Sequence, residues 1–501
     1  MIGAGAGLRL RGLVSPVAGV PSHASPPFPA VGRNTRHRRS AASATFVLLA
    51  LASTGSAWAN TLQVTSLADS GAGSLRQAIA DAASGDSIAF APGLTGTVYL
   101  DSTLTVNKSL QVVGGPGVAL DGRDSVRVLT LTGGNLTLDS LVLQHGAAAD
   151  GGGIYSAGTL TLNDCAVRSN HASARGGGVF IATGSYAITA SDISDNTAGS
   201  EGGGLMDIGS APSRIDSSTF AGNIAGAAGG GIRHVSGQPL VLTYSHITGN
   251  SVPSLGTSLG GGIASQESAL TLRDSTISGN KARFAGGLYV YRLSLASTLT
   301  LERSLVTGNT ADSDGGGIFV FGGSLYSINS TVSNNLAGAA SGGGIDLQNT
   351  SSFTAAAALV NTTVTYNRAG TNGGGLMQIS GTVSLKNSLL AGNVATSNPD
   401  LQAAFTSLGY NLVQNRGGST GFAATDLPNG ANPQLIPLGF NGGASATVAL
   451  QAGSAAINAV PGASCSGITV DQRGYRRPAG NCDIGAYDSE AVAVLFADGF
   501  D

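Results

Sequence analysis

Short stretches in which apolar and polar residues alternate fill most of the chain, and they predict many brief β-strands rather than helices. Leu299-Thr300-Leu301 is one example. Glycine and asparagine separate the stretches, and both residues tolerate the positive φ angles that tight turns require. Over residues 151–395 the stretches return at a nearly constant interval, which indicates a repeat architecture.

Each repeat carries two landmarks. The first is a run of three glycines, or the degenerate copy Ala285-Gly286-Gly287, followed by an apolar residue. These apolar residues are Ile154, Val179, Leu205, Ile232, Ile263, Leu288, Ile318, Ile345 and Leu376. The second is an asparagine that has an apolar residue three positions before it and a small residue five positions before it. These asparagines are Asn170, Asn196, Asn223, Asn250, Asn280, Asn309, Asn335, Asn367 and Asn393.

The repeat length favours a solenoid. The mean interval of about 28 residues is shorter than a propeller blade of about 40–45 residues, and no helical period accompanies it. We predict an all-β fold of about eleven or twelve stacked coils, each with three short strands and three turns. Stacking at about 4.8 Å places equivalent residues on one another. We therefore expect the asparagines to form a structural hydrogen-bonded ladder, and Cys165, at a serine position, to be a small packed residue.

The chain divides into five segments. Residues 1–59 contain a basic patch around Arg38, an apolar run from Ala41 to Ala52 and Ala57-Trp58-Ala59, which together indicate a secretory signal peptide with a long n-region. Residues 60–96 are predicted to form a short helical cap, because Ser74-Leu75-Arg76-Gln77 has the form of a capping box. The β-helix spans 97–395, a small C-terminal module 396–490 and a tail 491–501. The mature chain is expected to have no transmembrane helix.

Composition narrows the function classes. Charged residues make up 11% of the chain, against about 25% in typical domains, which excludes a charge-driven disordered chain and a coiled coil. Six arginines precede residue 60, so the secreted chain has a net charge of about −9. A nucleic-acid partner is therefore not expected. No cofactor is expected, since the glycine-rich runs lack the G-K-[ST] of a nucleotide-binding loop.

Several parts of this sequence resemble known families. Residues 64–79 resemble the CSLREA-type N-terminal domain of bacterial surface proteins, with Gly73 and Gln77 in its Cys and Glu positions. The repeats resemble those of right-handed parallel β-helices and are similar to repeats of chlamydial polymorphic membrane proteins, which are adhesins. Asn432-Pro433-Gln434-Leu435, Asp471-Gln472-Arg473-Gly474 and Asp483-Ile484-Gly485-Ala486-Tyr487 resemble the choice-of-anchor Q domain. These resemblances imply an exported right-handed β-helix and bring no catalytic residues with them.

Two features of the C-terminal segments have alternative interpretations. In an exported protein Cys465 and Cys482 are able to form a disulfide, and the alternative is two free thiols. The tail 491–501 is either a short sorting tail or a last strand.

Candidates for chemistry are few. Asp207 and His234 occupy the third position after the glycines in adjacent coils, so they form either a structural hydrogen bond or an acid/base pair. Asp312 and Asp314 lie just before a triple glycine, and closely spaced aspartates followed by glycine are similar to a calcium-binding loop. Two carboxylates alone are weak evidence for a metal site.

Aromatic residues give a candidate binding surface. The first residue after each glycine run is apolar and should point inward, so the second and fourth should point outward. Two adjacent coils place aromatic residues there: Tyr289 and Tyr291, then Phe319 and Phe321. An exposed aromatic patch marks a ligand or partner site. The alternatives are that a long turn covers the rings or that the assumed direction is reversed.

The leading hypothesis is an exported surface or secreted protein that binds glycans or surface proteins without catalysis. One alternative is a lyase or hydrolase acting on an extracellular polysaccharide, and another is a passive structural surface protein. The expected location is extracellular or at the cell surface, with the periplasm as an alternative, and the oligomeric state is left open.

Overall fold

The computed structural model describes residues 60–253, 256–465 and 467–493. The predicted signal peptide and residues 494–501 of the predicted tail lie outside the described residues. No described helix is long and apolar enough to cross a membrane.

The described chain winds into a parallel β-solenoid, and each complete coil contributes one strand to each of three sheets. Sheet A consists of Thr61–Val64, Ser87–Phe90, Leu110–Val113, Asn135–Asp139, Thr159–Asn163, Tyr186–Thr189, Ser213–Asp216, Leu240–Thr243, Ala269–Arg273, Thr298–Glu302, Ser324–Ile328, Ala356–Val360, Thr382–Lys386 and Thr406–Ser407. Sheet B consists of Gly96–Tyr99, Val118–Asp121, Val142–Gln144, Ala166–Arg168, Asp192–Ser194, Thr219–Ala221, His246–Thr248, Thr276–Ser278, Leu305–Thr307, Thr331–Ser333, Thr363–Thr365, Leu389–Ala391 and Leu412–Val413. Sheet C consists of Leu104–Val106, Leu129–Leu131, Ile154–Ser156, Val179–Ile181, Leu205–Asp207, Ile232–His234, Ile263–Gln266, Leu288–Tyr291, Ile318–Phe321, Ile345–Gln348, Leu376–Gln378 and Leu401–Gln402.

A fourth strand of two to five residues follows the sheet B strand in the middle coils. These strands form two further short parallel sheets, Ala147–Asp150, His171–Arg175, Thr197–Ala198 and Ile224–Ala225, then Lys281–Ala282, Thr310–Ala311, Leu336–Ala337 and Arg368–Ala369. The predicted fold class is confirmed. The predicted number of coils is too low, because sheet A has 14 strands in the described chain. Its first and last strands lie in coils without a triple glycine.

Inward-pointing side chains form one continuous core along the solenoid. Every apolar residue that follows a glycine run is fully buried, as Leu205 and Ile318 illustrate with 0% exposure. Burial of one such side chain stabilises the fold by roughly 1.5–3 kcal/mol. The alternating pattern of the sequence is therefore the pattern of inward and outward positions.

The asparagines form a hydrogen-bonded ladder in the described coils. The side chain of Asn196 accepts from the backbone and side-chain amides of Asn170 at 3.0 and 2.9 Å, and Asn196 in turn donates to the next asparagine. The ladder ends on Asp400, whose Oδ1 accepts from both amides of Asn393 at 3.0 and 2.9 Å. A carboxylate suits this place because the final member needs only to accept.

The triple glycines leave no room for a side chain. A Cβ built on Gly177 would lie 2.5 Å from the carbonyl oxygen of Gly203 and 2.6 Å from that of Thr197. The turns of successive coils therefore stack directly through their backbones.

We expect Gly177→Ala to destabilise the protein by about 1–3 kcal/mol, because the added methyl group overpacks a rigid backbone contact. Urea unfolding followed by circular dichroism measures this. Gly133→Ala is the control, because a Cβ there meets nothing within 4 Å. Equal unfolding midpoints for the two variants would contradict the close-stacking explanation.

A short helix, Leu75–Asp81, lies at the N-terminal end, and Ser74 caps it by accepting from the backbone amide of Gln77 at 3.2 Å. The reciprocal half of a capping box is missing, because the Gln77 side chain donates to Asp81 instead. The backbone amide of Ser74 bonds to the carbonyl oxygen of Gly71, so it needs no second partner.

Beyond the last sheet strand at Val413, the chain folds back along the outside of sheet B. Cys465 and Cys482 form a disulfide there, with their Cα atoms 6.0 Å apart. Gln472 accepts from the hydroxyl of Thr331 in sheet B at 2.5 Å. The backbone amide of Ala486 likewise donates to the hydroxyl of Thr363 at 3.0 Å. The C-terminal segment therefore packs against the last coils through polar contacts and through an apolar cluster that includes Leu389, Leu412 and Ile484.

Candidate functional site

The outer face of sheet C brings the four predicted aromatic residues together. The ring centroids of Tyr291 and Phe321 lie 5.5 Å apart with nearly parallel planes, and those of Tyr289 and Phe319 lie 5.5 Å apart edge to face. Their inward neighbours belong to the main core, whereas these four belong to a separate outer cluster. The predicted alternation of inward and outward positions is therefore correct.

The four aromatic side chains are partly covered and do not form a fully exposed surface patch. Tyr289 and Phe319 are only 7% and 6% exposed, while Tyr291 and Phe321 are half-buried. The cover comes from preceding turns, which contribute Leu259 and Phe284. Turn cover was one of the two alternatives that the sequence left open.

Sheet and turns enclose a cleft of about 390 Å³ that has aromatic walls. Its lining residues are Thr257, Leu259, Phe284, Tyr289, Tyr291, Phe319, Phe321 and Gln348. None of these eight carries a charge. A larger groove of about 440 Å³ elsewhere, beside Cys165, has no aromatic residue in its lining. The aromatic cleft is therefore the better-formed candidate for binding an organic ligand.

A buried arginine flanks the Tyr289 side of the cleft. Arg233 lies on the outer face of sheet C, two strands before Tyr289, and is 9% exposed. Its Nε bonds to Glu201 at 3.0 Å, and its Nη2 donates to the amide oxygen of Gln266 at 2.8 Å. The charge of this guanidinium is thus balanced within the protein.

A buried carboxyl group lies on the other side of the cleft. Asp346 follows Phe319 in the sheet register, is 0% exposed and accepts from Nε2 of Gln348 at 3.1 Å. Its second oxygen, Oδ2, has no hydrogen-bond partner among the described residues. Burial first, and then the nearby charge of Asp314, raises the pKa of Asp346 to about 8. The group is therefore largely protonated at neutral pH.

Asp207 and His234 meet inside the solenoid. Nδ1 of His234 lies 2.7 Å from Oδ2 of Asp207, and Nε2 lies 3.0 Å from the carbonyl oxygen of Gln238. The side chains are 2% and 0% exposed. Tyr186 also donates to Asp207, and its pKa is raised by burial and by that carboxylate. In this structure a polymer substrate does not reach either residue.

The predicted calcium candidates lie apart from any larger ligand set. Asp312 faces Lys281, with 3.6 Å between Oδ1 and Nζ. Asp314 accepts from the backbone amide of Ser341 and from the hydroxyl of Ser313. Within the described ranges, no group of three or more His, Cys, Asp or Glu residues could hold a metal ion.

Cys165 is packed within the serine row of the coils. It is 3% exposed, its backbone amide donates to Ser191 at 3.0 Å, and burial raises its thiol pKa to about 11. A thiol in this state is a poor nucleophile.

A second aromatic group, which was not predicted from the sequence, lies on sheet C. Tyr155 and Phe180 stack with centroids 5.4 Å apart. The guanidinium of Arg127 lies over the Tyr155 ring, 5.2 Å from its centroid, and that of Arg175 lies over the Phe180 ring at 4.8 Å. Arg175 also pairs with Asp150 at 2.9 Å. The signal was present in the sequence, since Tyr155 and Phe180 occupy the same repeat position as Tyr289.

Comparisons with known proteins give one family match and distant likenesses to solved structures. No curated protein matches the chain. The solved pectate lyase Pel9A is similar at 15% identity with a TM-score of 0.38, over 85% of this chain and 96% of that one. A mannuronic acid-specific polysaccharide family 6 lyase from human gut microbiota is similar at 12% identity with a TM-score of 0.35, over 74% of this chain and 92% of that one. At this level of similarity, neither structure bears on the chemistry of this chain. Residues 150–337 match the family model described as the right handed beta helix region.

Proposed function

We propose that this is an exported protein that binds glycans in the aromatic cleft of sheet C without transforming them. The observation that carries the proposal is the lining of the cleft, in which five aromatic rings are combined with one amide and one hydroxyl side chain. A sugar ring has an apolar C–H face and a polar rim of hydroxyl groups. Aromatic faces suit the first, and Gln348 and Thr257 suit the second.

The C-terminal disulfide supports export. Disulfides persist in oxidising compartments and are rare in the cytosol, and Cys465 and Cys482 are bonded to each other. An extracellular or cell-surface location then places the cleft among the polysaccharides of the surroundings. The resemblance of the repeats to those of adhesins supports the same location.

The proposal includes the expectation that the protein does not cleave the glycan that it binds. The one carboxyl group with a strongly raised pKa beside the cleft, Asp346, is fully enclosed, and so are Asp207 and His234. A general acid must reach the leaving group of its substrate. The cleft as described offers rings and neutral polar groups for binding, and none of its lining residues is an acid or a base.

A binding assay with matched variants tests this proposal. The purified protein is run in native gels that contain laminarin, galactan or starch, and retardation gives the affinity. We expect Tyr291→Ala or Phe321→Ala to weaken binding about tenfold, which corresponds to about 1.4 kcal/mol. Tyr326→Ala is the control, because this tyrosine is 48% exposed on sheet A, away from the cleft.

The same samples are assayed for reducing and unsaturated sugar ends. Release of such ends by the protein would overturn the proposal in favour of a polysaccharide lyase or hydrolase. Failure to bind any polysaccharide, or equal loss with Tyr326→Ala, would overturn the assignment of the cleft.

A further inference from the structure

We infer that the aromatic cleft prefers saccharides that carry anionic groups, carboxylates or sulfate esters, and that Arg283 binds such a group at the Phe284 end of the cleft. This inference rests on the proposed function and adds to it the charge class of the ligand. The rings bind the faces of the sugars, and the guanidinium group beside them supplies the preference for charge.

Two contacts place Arg283 at the edge of the cleft. Its guanidinium lies over the ring of Phe284, 5.2 Å from the centroid, and Phe284 lines the cleft. Its Nη1 donates to the carbonyl oxygen of Gly256 at 2.8 Å, directly before the lining residue Thr257. One contact to a ring and one to the backbone therefore hold this exposed side chain beside the cleft.

The charge of Arg283 is available to a ligand. A backbone carbonyl accepts a hydrogen bond without cancelling the charge, and Arg283 forms no ion pair in the described part of the chain. A guanidinium presents its donors in a planar fork that matches the oxygens of an anionic group. Because the side chain is already stacked on a ring, binding requires little further ordering.

A second guanidinium without an acidic partner lies at the opposite end of the cleft. Arg283 precedes and Arg292 follows the strand Leu288–Tyr291. The guanidinium of Arg292 lies over the ring of Phe353, 4.0 Å from the centroid, in the turn that follows the lining residue Gln348. The buried Nε of Arg292 has no hydrogen-bond partner among the described residues. Cations at both ends of the row of rings suit a chain of sugars that carries repeated anionic groups.

The acidic residues around the cleft are engaged elsewhere. Asp312 in the next coil pairs with Lys281 at 3.6 Å. Asp314 accepts from the backbone amide of Ser341 in the coil after that, and Asp346 is 0% exposed. The chain as a whole has a formal net charge of −3, so it does not attract polyanions in general. A preference for anionic glycans would therefore come from the cations at the cleft.

The test compares neutral polysaccharides with anionic derivatives of the same chains. Laminarin, galactan and starch are used unmodified, after oxidation of their C6 hydroxyls to carboxyl groups, and after sulfation of their hydroxyls, so that backbone and linkage stay the same. Isothermal titration calorimetry at pH 7 gives the affinities. We expect anionic forms to bind about tenfold more tightly than their neutral parents, as one charge-assisted hydrogen bond allows. The gain should shrink as salt is added, and the two derivatives show whether carboxylate or sulfate is preferred.

Matched variants assign the gain to its residue. Arg283→Gln should remove most of the gain and leave the affinity for the neutral parent unchanged. Arg283→Lys should restore only part of it, since lysine lacks the planar fork. Arg214→Gln is the control, because Arg214 is an exposed arginine on sheet A and its replacement changes the net charge by the same amount.

The outcomes separate this inference from the proposed function. If anionic forms bind no more tightly than their neutral parents while Tyr291→Ala weakens the binding of both, the charge preference is wrong and the glycan-binding cleft stands. If Arg214→Gln removes as much of the gain as Arg283→Gln, the gain is a general effect of charge and the assignment to Arg283 is wrong. If no form binds, or Tyr291→Ala leaves the binding of every form unchanged, the proposed function fails and this inference fails with it.

Discussion

The stability of the Asp346→Asn variant relative to the wild-type protein should increase as the pH rises from about 4 to about 8. In the folded protein the pKa of Asp346 is about 8, against an ordinary value of 3.8. Between these two values the folded state holds a proton that the unfolded state has released. Linkage then requires the free energy of unfolding to fall as the pH rises, by about 1.4 kcal/mol per pH unit. The stability that this group contributes is complete below the unfolded pKa and is lost towards the folded pKa.

The expected size of the effect is large. Over the whole interval the wild-type protein should lose about 5 kcal/mol relative to Asp346→Asn, because asparagine cannot ionise. The substitution also keeps an oxygen that can accept from Gln348. Its new amide hydrogens lie in the region of the Asp346 Oδ2 atom, which has no partner among the described residues. The two proteins can differ in their free energy of unfolding by a constant amount at every pH. The test is therefore how the difference between their free energies of unfolding changes with pH.

Urea unfolding midpoints at half-unit steps from pH 4 to pH 9 measure this difference. The carboxylate of Asp312 is partly exposed and paired with Lys281. Asp312→Asn should therefore follow the wild-type profile within about 1 kcal/mol, as expected for a surface pair. Parallel profiles for wild type and Asp346→Asn would show that Asp346 is ionised in the folded protein across this range.

The middle of the fold was predictable from the sequence because its turns accept only particular residue types at fixed positions. The glycine runs and asparagines recur where a Cβ would meet backbone atoms or where a ladder amide must be bonded, as at Gly177 and Asn196. The end coils impose no such demand. Strands such as Thr61–Val64 and Leu412–Val413 pair through ordinary backbone hydrogen bonds, which many sequences can form. Their membership of the sheets therefore left no repeating signal, and the number of coils was underestimated.

Only those residues of the candidate site that lie on strands could be predicted from the sequence. Tyr289 and Phe319 follow from the alternation of sides along a strand. Phe284 reaches the cleft from the preceding turn, where no fixed period relates a residue to a direction. Asp346 stands in the same repeat position as Tyr289 and Phe319, so its place was open to prediction. Its raised pKa was not, because this depends on complete burial and on Asp314 from the preceding coil.

The second large effect concerns the contact between the C-terminal segment and the solenoid. Arg477 and Asp488 form an ion pair at 3.0 Å, with side chains only 2% and 0% exposed. Nη2 of Arg477 also donates to Oδ1 of Asn329 on the solenoid at 3.2 Å and to the carbonyl oxygen of Gly485 at 2.9 Å. Burial lowers the pKa of Arg477, and the charge of Asp488 opposes that shift. Each charge of this buried pair therefore offsets the cost of removing the other charge from water.

We expect Arg477→Met to cost about 3–5 kcal/mol, because Asp488 would remain buried without a compensating charge. Arg273→Met is the control. Its pair with Glu302 is similarly short at 2.8 Å, but the side chains are 47% and 27% exposed, so the expected cost is 0–1 kcal/mol. Urea unfolding measures both variants, and limited proteolysis of Arg477→Met should cleave first within residues 414–493. The double variant Arg477→Met/Asp488→Asn should recover part of the loss, since removal of both charges leaves no bare carboxylate. Equal costs for Arg477→Met and Arg273→Met would show that the buried pair contributes no more to stability than an exposed pair.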